Sequence, residues 1–326
     1  MSAQSTLFGD HAPLTLRLEG DLHALFGDRG AQRKDHPATL HYAGGAGGAA
    51  GADTGSIDVK LRTRGIFRLK KCAFPPIRLD LPAKKLDQTP FAGEDKLKLV
   101  THCQGDRSSE RNLLREYALY LVFNAVTDSS FRVRLAHMTY VDPARHDTVT
   151  RYGFLIESDT ALAQRISATP VHADNVYDPM TDRSYMTLVA VYQYMIGNTD
   201  WSVWKRHNIA IFQKGAEPRA LLAVPYDYDF SGAVNAPYAT PPEQLKLVSV
   251  RQRVYRGFCQ PDSILARVLA RFRVVKDSIY AAVRAVPDLP ERDVRNVLDY
   301  FEDFYKVIDN PGAVNRELVR PCRRMP

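Results

Sequence analysis

The sequence predicts an α+β protein of two lobes, a β-rich first lobe holding one main helix and a mostly helical second lobe. Three observations carry this. Apolar and polar residues alternate with period two through most of the first third of the chain. The period lengthens to helical spacing after "HCQGDRSSE". From about Asp159 onward, helical patterns dominate, interrupted by one short pair of apolar strands.

The elements follow in order. "APLTLRLEG", "ATLHYAGG" and "GSIDVKLRTRG" alternate as strands, and "PPIRLDLP" and "DKLKLVTHC" continue the pattern. Between the second and third lies "GGAGGAAGADTG". With no Gly-Lys-Ser/Thr and no helix opening after it, this stretch reads as a flexible hairpin connection rather than a phosphate loop. Leu113, Leu114, Tyr117, Tyr120, Leu121 and Ala125 then recur at helical spacing. "FRVRLAHMTYVD" and "TRYGFLIES" return to strand. The helices of the second lobe are "DRSYMTLVAVYQYMIGN", "DSILARVLARFRVVKDSIYAAVRAV" and "ERDVRNVLDYFEDFYKVID", with "HNIAIF" and "RALLAVPYDYD" as the strand pair. The expected division is 12–157 for the first lobe and 158–326 for the second.

Composition sets outer limits. The 326 residues are 45% hydrophobic and 25% charged, ordinary for a globular chain with a sizeable core. No apolar run is long enough for a membrane span, and the N-terminus lacks the pattern of a signal peptide. The expected compartment is cytoplasmic if the chain starts where given, and exported if a signal lies upstream. The net charge of +7 is dispersed among 44 basic and 37 acidic residues, so it reads as a solvated surface. Cys72, Cys103, Cys259 and Cys322 lie far apart with no CxxC, which signals neither zinc nor a thioredoxin site; two bridges or four buried thiols both fit.

The chemistry concentrates in "GNTDWSVWKRHNIAIF" and "LLAVPYDYDFSG". Acids beside such apolar runs are paired or hold a metal more often than they are merely buried. An acid after a helix, an amide before a short strand and an acid ending the next strand is the order of a phosphoryl-transfer site. Asp200, Asn208 and Asp227 stand in that order. The first acid orients the attacking hydroxyl, and the other two hold Mg²⁺ (or Mn²⁺) through oxygen ligands. The competing reading makes "GNTD" a helix C-cap and "DYDFSG" a turn. In the first lobe, Lys98 on a strand and Glu116 on the following helix, 18 residues apart, suit a lysine on nucleotide phosphates and its paired glutamate. Lys96 and Glu110 are alternatives for these two roles.

This order of elements resembles the protein-kinase-like fold. More specifically, the chain resembles the CotH family of spore-coat-type kinases in "VKLRTRG", "CAFPPIRLDL", "KLKLVTHC", "YGFLIE", "IGNTDW…HN" and "VPYDYDFSG". The "GNTD…N" and "PYD" pieces are also similar to HipA-type kinases. The resemblance implies a two-lobed protein-kinase-like fold and an ATP-dependent kinase acting on Ser/Thr hydroxyls of a protein or on a small-molecule hydroxyl. It implies Asp200 as the catalytic acid, Asn208 and Asp227 as metal ligands, Lys98 and Glu116 as the nucleotide-positioning pair, and Glu157 at the start of the interlobe segment. Three departures stand out. Seven residues, not four, separate Asp200 from Asn208, which leaves Asn208 or His207 to face the metal. No GxGxxG loop is present, and Arg62 and Arg64 of "RTRG" are the substitutes for phosphate contact, Arg64 being preferred. The doublet leaves Asp227 or Asp229 open, with Asp227 preferred because it directly follows the apolar strand.

Two other classes compete. A pseudokinase or scaffold would bind nucleotide without transferring phosphate. A nucleic-acid binder would use "RVLARFRVVK" as a basic helix, but Leu265, Val268, Leu269 and Phe272 suit a core face, leaving the basic residues on the solvated side.

Overall fold

The computed structural model describes residues 7–43, 55–172, 176–177, 180–215 and 221–324. The glycine-rich connection read as a flexible hairpin lies outside them, except Gly55, which opens a strand. The chain divides into two compact units, Met1–Leu113 with Arg132–Ala161, and Leu114–Phe131 with Leu162–Pro326.

The first unit is built on β1 (Leu14–Gly20), α1 (Leu22–Gly27), β2 (His36–Ala43), β3 (Gly55–Thr63), α2 (Phe67–Lys71), β4 (Ile77–Asp80) and β5 (Lys96–Val100). The long α3 (Arg107–Val126) begins in this unit, which ends with β6 (Val133–Asp142) and β7 (Asp147–Ile156). The seven strands close into a barrel of order β1-β2-β3-β4-β5-β7-β6. All neighbours pair antiparallel except β1 and β6, which run parallel with Leu14 opposite Ala136. The inward residues are the alternating apolar ones: Leu16 and Leu18, Ile57, Val59 and Leu61, Leu97 and Leu99, Met138 and Leu155. Leu22 and Leu25 of α1 join the same core. A Cys72–Cys103 disulfide ties the end of α2 to the chain after β5.

This closed barrel corrects the expected fold class. A two-lobed protein-kinase-like fold does not accommodate a barrel; the short α1 and α2 stand beside the one main helix that was expected. The reason is physical. Alternation reports which face of a strand is buried, not whether the outer strands find each other. The pairing that closes the barrel joins segments more than a hundred residues apart, where no local signal exists.

The second unit continues from α3 with α4 (Asp159–Arg165), β8 (Ala168–Pro170), α5 (Arg183–Ile196), β9 (Ile209–Lys214) and β10 (Leu221–Pro225). Then follow α6 (Asp262–Val274), α7 (Lys276–Arg284), α8 (Glu291–Ile308) and α9 (Pro311–Val314). The expected strand pair is part of a three-stranded sheet, β10-β9-β8. The helix read as continuous through "DSILARVLARFRVVKDSIYAAVRAV" breaks at Val275 into α6 and α7. α5 is buried on nearly every side, Thr187 and Gln193 included, the pattern of a central helix. α8 buries a single stripe, Val297, Tyr300, Phe301, Phe304, Tyr305 and Ile308, at spacings of three and four. Cys259 and Cys322 form a second disulfide. Among the described residues no helix is long and apolar enough to cross a membrane.

Candidate functional site

The site in the second unit starts where α5 stops. Gly197 caps α5 in the left-handed conformation, φ 66°, and a Cβ there would run into the Tyr300 hydroxyl, so only glycine fits. The chain leaves the helix through a side-chain turn in which the Asp200 N–H donates to Asn198 Oδ1 at 2.9 Å. Arg256 clamps the same stretch, donating to the carbonyls of Thr199 and Trp201 and lying over the Trp201 ring.

The seven residues between Asp200 and Asn208 do not hold those two apart. Ser202 and His207 exchange both backbone hydrogen bonds, at 3.0 and 2.9 Å, and pinch the intervening residues into a tight turn. Asp200 and Asn208 therefore meet at the base of the pinch. Asn208 Nδ2 donates to the Asp200 carbonyl at 2.8 Å and to its Oδ2 at 3.1 Å. The other carboxylate oxygen, Oδ1, lies 2.9 Å from His207 Nε2.

Asp227 reaches the same place through the hairpin. Pro225 of β10 pairs with Ile209 of β9, and the Tyr226 N–H donates to the Asn208 carbonyl at 3.0 Å, so Asp227 emerges beside Asn208. Its backbone N–H donates at 2.8 Å to the hydroxyl of Tyr120, on the part of α3 in this unit. Burial and the nearby charges of Glu116 and Asp227 hold the Tyr120 hydroxyl well above its ordinary pKa, so it stays protonated. Asp229 is placed differently. It is 4% exposed, and its Oδ2 accepts from the Tyr238 hydroxyl at 2.9 Å, whereas Asp227 is half-buried.

Two electrostatic features follow. The His207 imidazole has its pKa raised, chiefly by its hydrogen bond to Asp200, against the opposing effect of burial and with help from the charges of Asp200 and Asp227. Arg206, Asn208 and Asp227 all adopt left-handed backbone, with φ of 47°, 53° and 64°. Each such residue costs about 1–3 kcal/mol and persists only where its surroundings enforce it, and such outliers gather where a side chain must be aimed.

Could this cluster hold a metal? Among the described residues no three His, Cys, Asp or Glu side chains gather as a self-sufficient cage. Mg²⁺ seldom needs one, since it is commonly held by one or two carboxylates plus substrate phosphates. Asp227 offers a carboxylate. Asn208, with its amide nitrogen committed to Asp200, offers its amide oxygen. The donors fit a hard cation.

The remaining sequence candidates are distributed between the units. Glu116 is in the second, 2% exposed on α3. In the first unit, Lys98 is half-buried on β5 and its Nζ lies 3.1 Å from Asp159 Oδ1, while Lys96 is exposed. Arg62 is engaged with Asp35, and Arg64 forms no ion pair among the described residues. Glu110 accepts the Tyr152 N–H at 2.7 Å, a structural task on β7. Glu157 is buried, and its Oε2 accepts the Arg132 N–H at 3.0 Å. Sequence reasoning missed Tyr120, Arg256 and Asp159. Tyr120 lay in an apolar helical stripe and read as core, and the two charged residues carried no motif.

No family model matches this chain, and no curated protein matches it. Among solved structures it is similar to the Helicobacter pylori proinflammatory kinase CtkA, with a TM-score of 0.43 and 10% identity, over 75% of this chain and 92% of that one. A likeness this loose carries no argument, and the functional reading rests on the residues.

Proposed function

We propose that this chain is an ATP- and Mg²⁺-dependent phosphotransferase of the CotH type, acting on Ser/Thr hydroxyls of a protein. The observation that supports this reading is the meeting of Asp200, Asn208 and Asp227 at the ends of β9 and β10 despite a long intervening loop. In this reading Asp200 orients the acceptor hydroxyl and takes its proton as the acceptor oxygen bonds to the γ-phosphorus and the bond to the ADP oxygen breaks. Each Asp200 oxygen holds one hydrogen bond already, and a carboxylate oxygen has a second lone pair with which to accept another. His207 and Asn208 thus fix the carboxylate in one plane. Asn208 and Asp227 would hold Mg²⁺, which supplies charge neutralisation on the phosphate oxygens. Lys98 with Glu116, Arg64 and Glu157 carry over from the resemblance as nucleotide-positioning residues.

The test is incubation with γ-labelled ATP and Mg²⁺ or Mn²⁺, following label onto the chain or onto an added Ser/Thr-containing protein. Transfer supports the reading. Nucleotide binding without transfer would favour a pseudokinase, and no nucleotide binding would end both.

A further inference from the structure

The second unit carries a cavity of about 450 Å³ that the phosphotransfer reading does not use. Its walls come from α5, the β9–β10 hairpin, α6 and the turn after α3. Leu188, Leu222 and Val268 contribute apolar surface, and Lys214, Arg267 and Arg271 contribute three exposed cations. A single acid, Asp182, lines it, and its carboxylate already accepts the Tyr185 N–H at 2.7 Å as the N-cap of α5. Among the described residues no ion pair neutralises any of the three cations. Arg271 is anchored through its Nε, which donates to the Val126 carbonyl at 3.1 Å and leaves both Nη groups for other acceptors.

Position separates this cavity from the Asp200 cluster. Lys214 ends β9, and Asn208 precedes its start. Six strand residues at ~3.3 Å each put the two about 20 Å apart. Arg267 and Arg271 stand one helical turn apart on α6, ~6 Å along its axis. Two carboxylates at alternate positions of an extended peptide are spaced by nearly the same distance, ~7 Å.

We propose that this cavity docks an extended acidic polypeptide segment, one face of which carries carboxylates at alternate positions for Lys214, Arg267 and Arg271 and, two residues further along that face, an apolar side chain seated between α5 and α6. Charge complementarity selects this occupant. A neutral apolar segment would cover three cations without pairing them, which costs free energy. A basic segment would be repelled. A small inorganic anion would leave the apolar wall unused. The proposal does not depend on phosphate transfer, because its readout is binding.

The experiment uses the whole chain and fluorescence anisotropy of a labelled peptide carrying Glu, Glu and Leu at alternate positions with Ser between them, with a Gln-for-Glu counterpart. Saturable binding of the Glu peptide is expected, roughly tenfold or more weaker for the Gln peptide and for R267E/R271E, and weaker as salt rises. R33E makes the same kind of charge change in the first unit and should bind as wild type. Thermal melting checks that the double variant folds; if it does not, K214E alone should show the loss. Equal affinity for the Gln peptide, or unchanged binding by the reversed variants, would overturn the proposal. So would displacement by inorganic phosphate, phosphatidylserine vesicles or duplex DNA as effective as by unlabelled Glu peptide.

Discussion

Replacing Asp200 by Asn separates chemistry from architecture at the centre of the proposed site. The substitution keeps the shape of the side chain, and its amide can rebuild the local bonds. Its oxygen can accept from Asn208 Nδ2, and its amide can donate to a neutral His207 Nε2. What disappears is a negative charge and a proton acceptor. Lost stability should be small, because the Asp200 and His207 side chains are 29% and 50% exposed and solvent screens their attraction; about 0.2–1 kcal/mol is the scale of such pairs. The loss in rate should be large. A positioned base contributes on the order of 10²–10⁴-fold, or ~3–5 kcal/mol of transition-state stabilisation. Phosphate transfer and thermal melting are measured on the same preparation, with Mg-ATP affinity by calorimetry. The expected variant melts within a few degrees of wild type, binds Mg-ATP as well, and transfers poorly. A well-folded Asp200→Asn protein that transfers phosphate at near the wild-type rate would refute the assignment.

Three more outcomes are expected. Asp227→Asn, which tolerates the left-handed backbone at this position, should abolish metal-dependent nucleotide binding with little change in melting, whereas Asp229→Ala should melt earlier and keep metal dependence, because it removes the buried acceptor of the Tyr238 hydroxyl; calorimetry with and without Mg²⁺ distinguishes them, and the reverse pattern would exchange their roles. His102 is buried against Phe74 with neither ring nitrogen hydrogen-bonded, and burial, then the charges of Arg151 and Arg68, depress its pKa to about 4. The unfolded chain therefore binds a proton that the folded one refuses as pH falls from about 6.5, so stability is full above that pH and drops by ~3 kcal/mol as pH passes through about 4; denaturant titrations of wild type and His102→Phe should differ by this slope, and identical slopes would count against it. Reducing the disulfides should cost up to ~4 kcal/mol each by loop-closure entropy, slightly more for Cys259–Cys322 than for Cys72–Cys103, given separations of 63 and 31 residues; unchanged melting in reductant would show that neither bond constrains the fold.

Much of the fold could be read from periodicity. The alternation in "APLTLRLEG" and "GSIDVKLRTRG" became β1 and β3, and the stripe in "ERDVRNVLDYFEDFYKVID" became α8. These signals are local, each written within a dozen or so residues. The barrel closure, the third strand β8 and the choice of cysteine partners are relations between distant segments, and nothing near Leu14 announces Ala136. The candidate site divides the same way. The order Asp200, Asn208, Asp227 stands in the sequence, because an acid, an amide and an acid there fall beside readable helix and strand patterns. The support given by Tyr120 and Arg256 does not, since a tyrosine in an apolar stripe and an arginine in a loop have many other uses.

The pinch at Ser202 and His207 bears on how such proteins can diverge. Because the bracket closes before the chain returns to Asn208, the length of the tip is uncoupled from the separation of the acid and the amide. Each doubling of a flexible loop costs only about 0.6 kcal/mol in closure entropy, so lineages could lengthen the tip with little penalty. A search keyed to a fixed interval between the two residues would pass over every such relative. One keyed to the bracketing pair, with any number of residues inside it, would recover them.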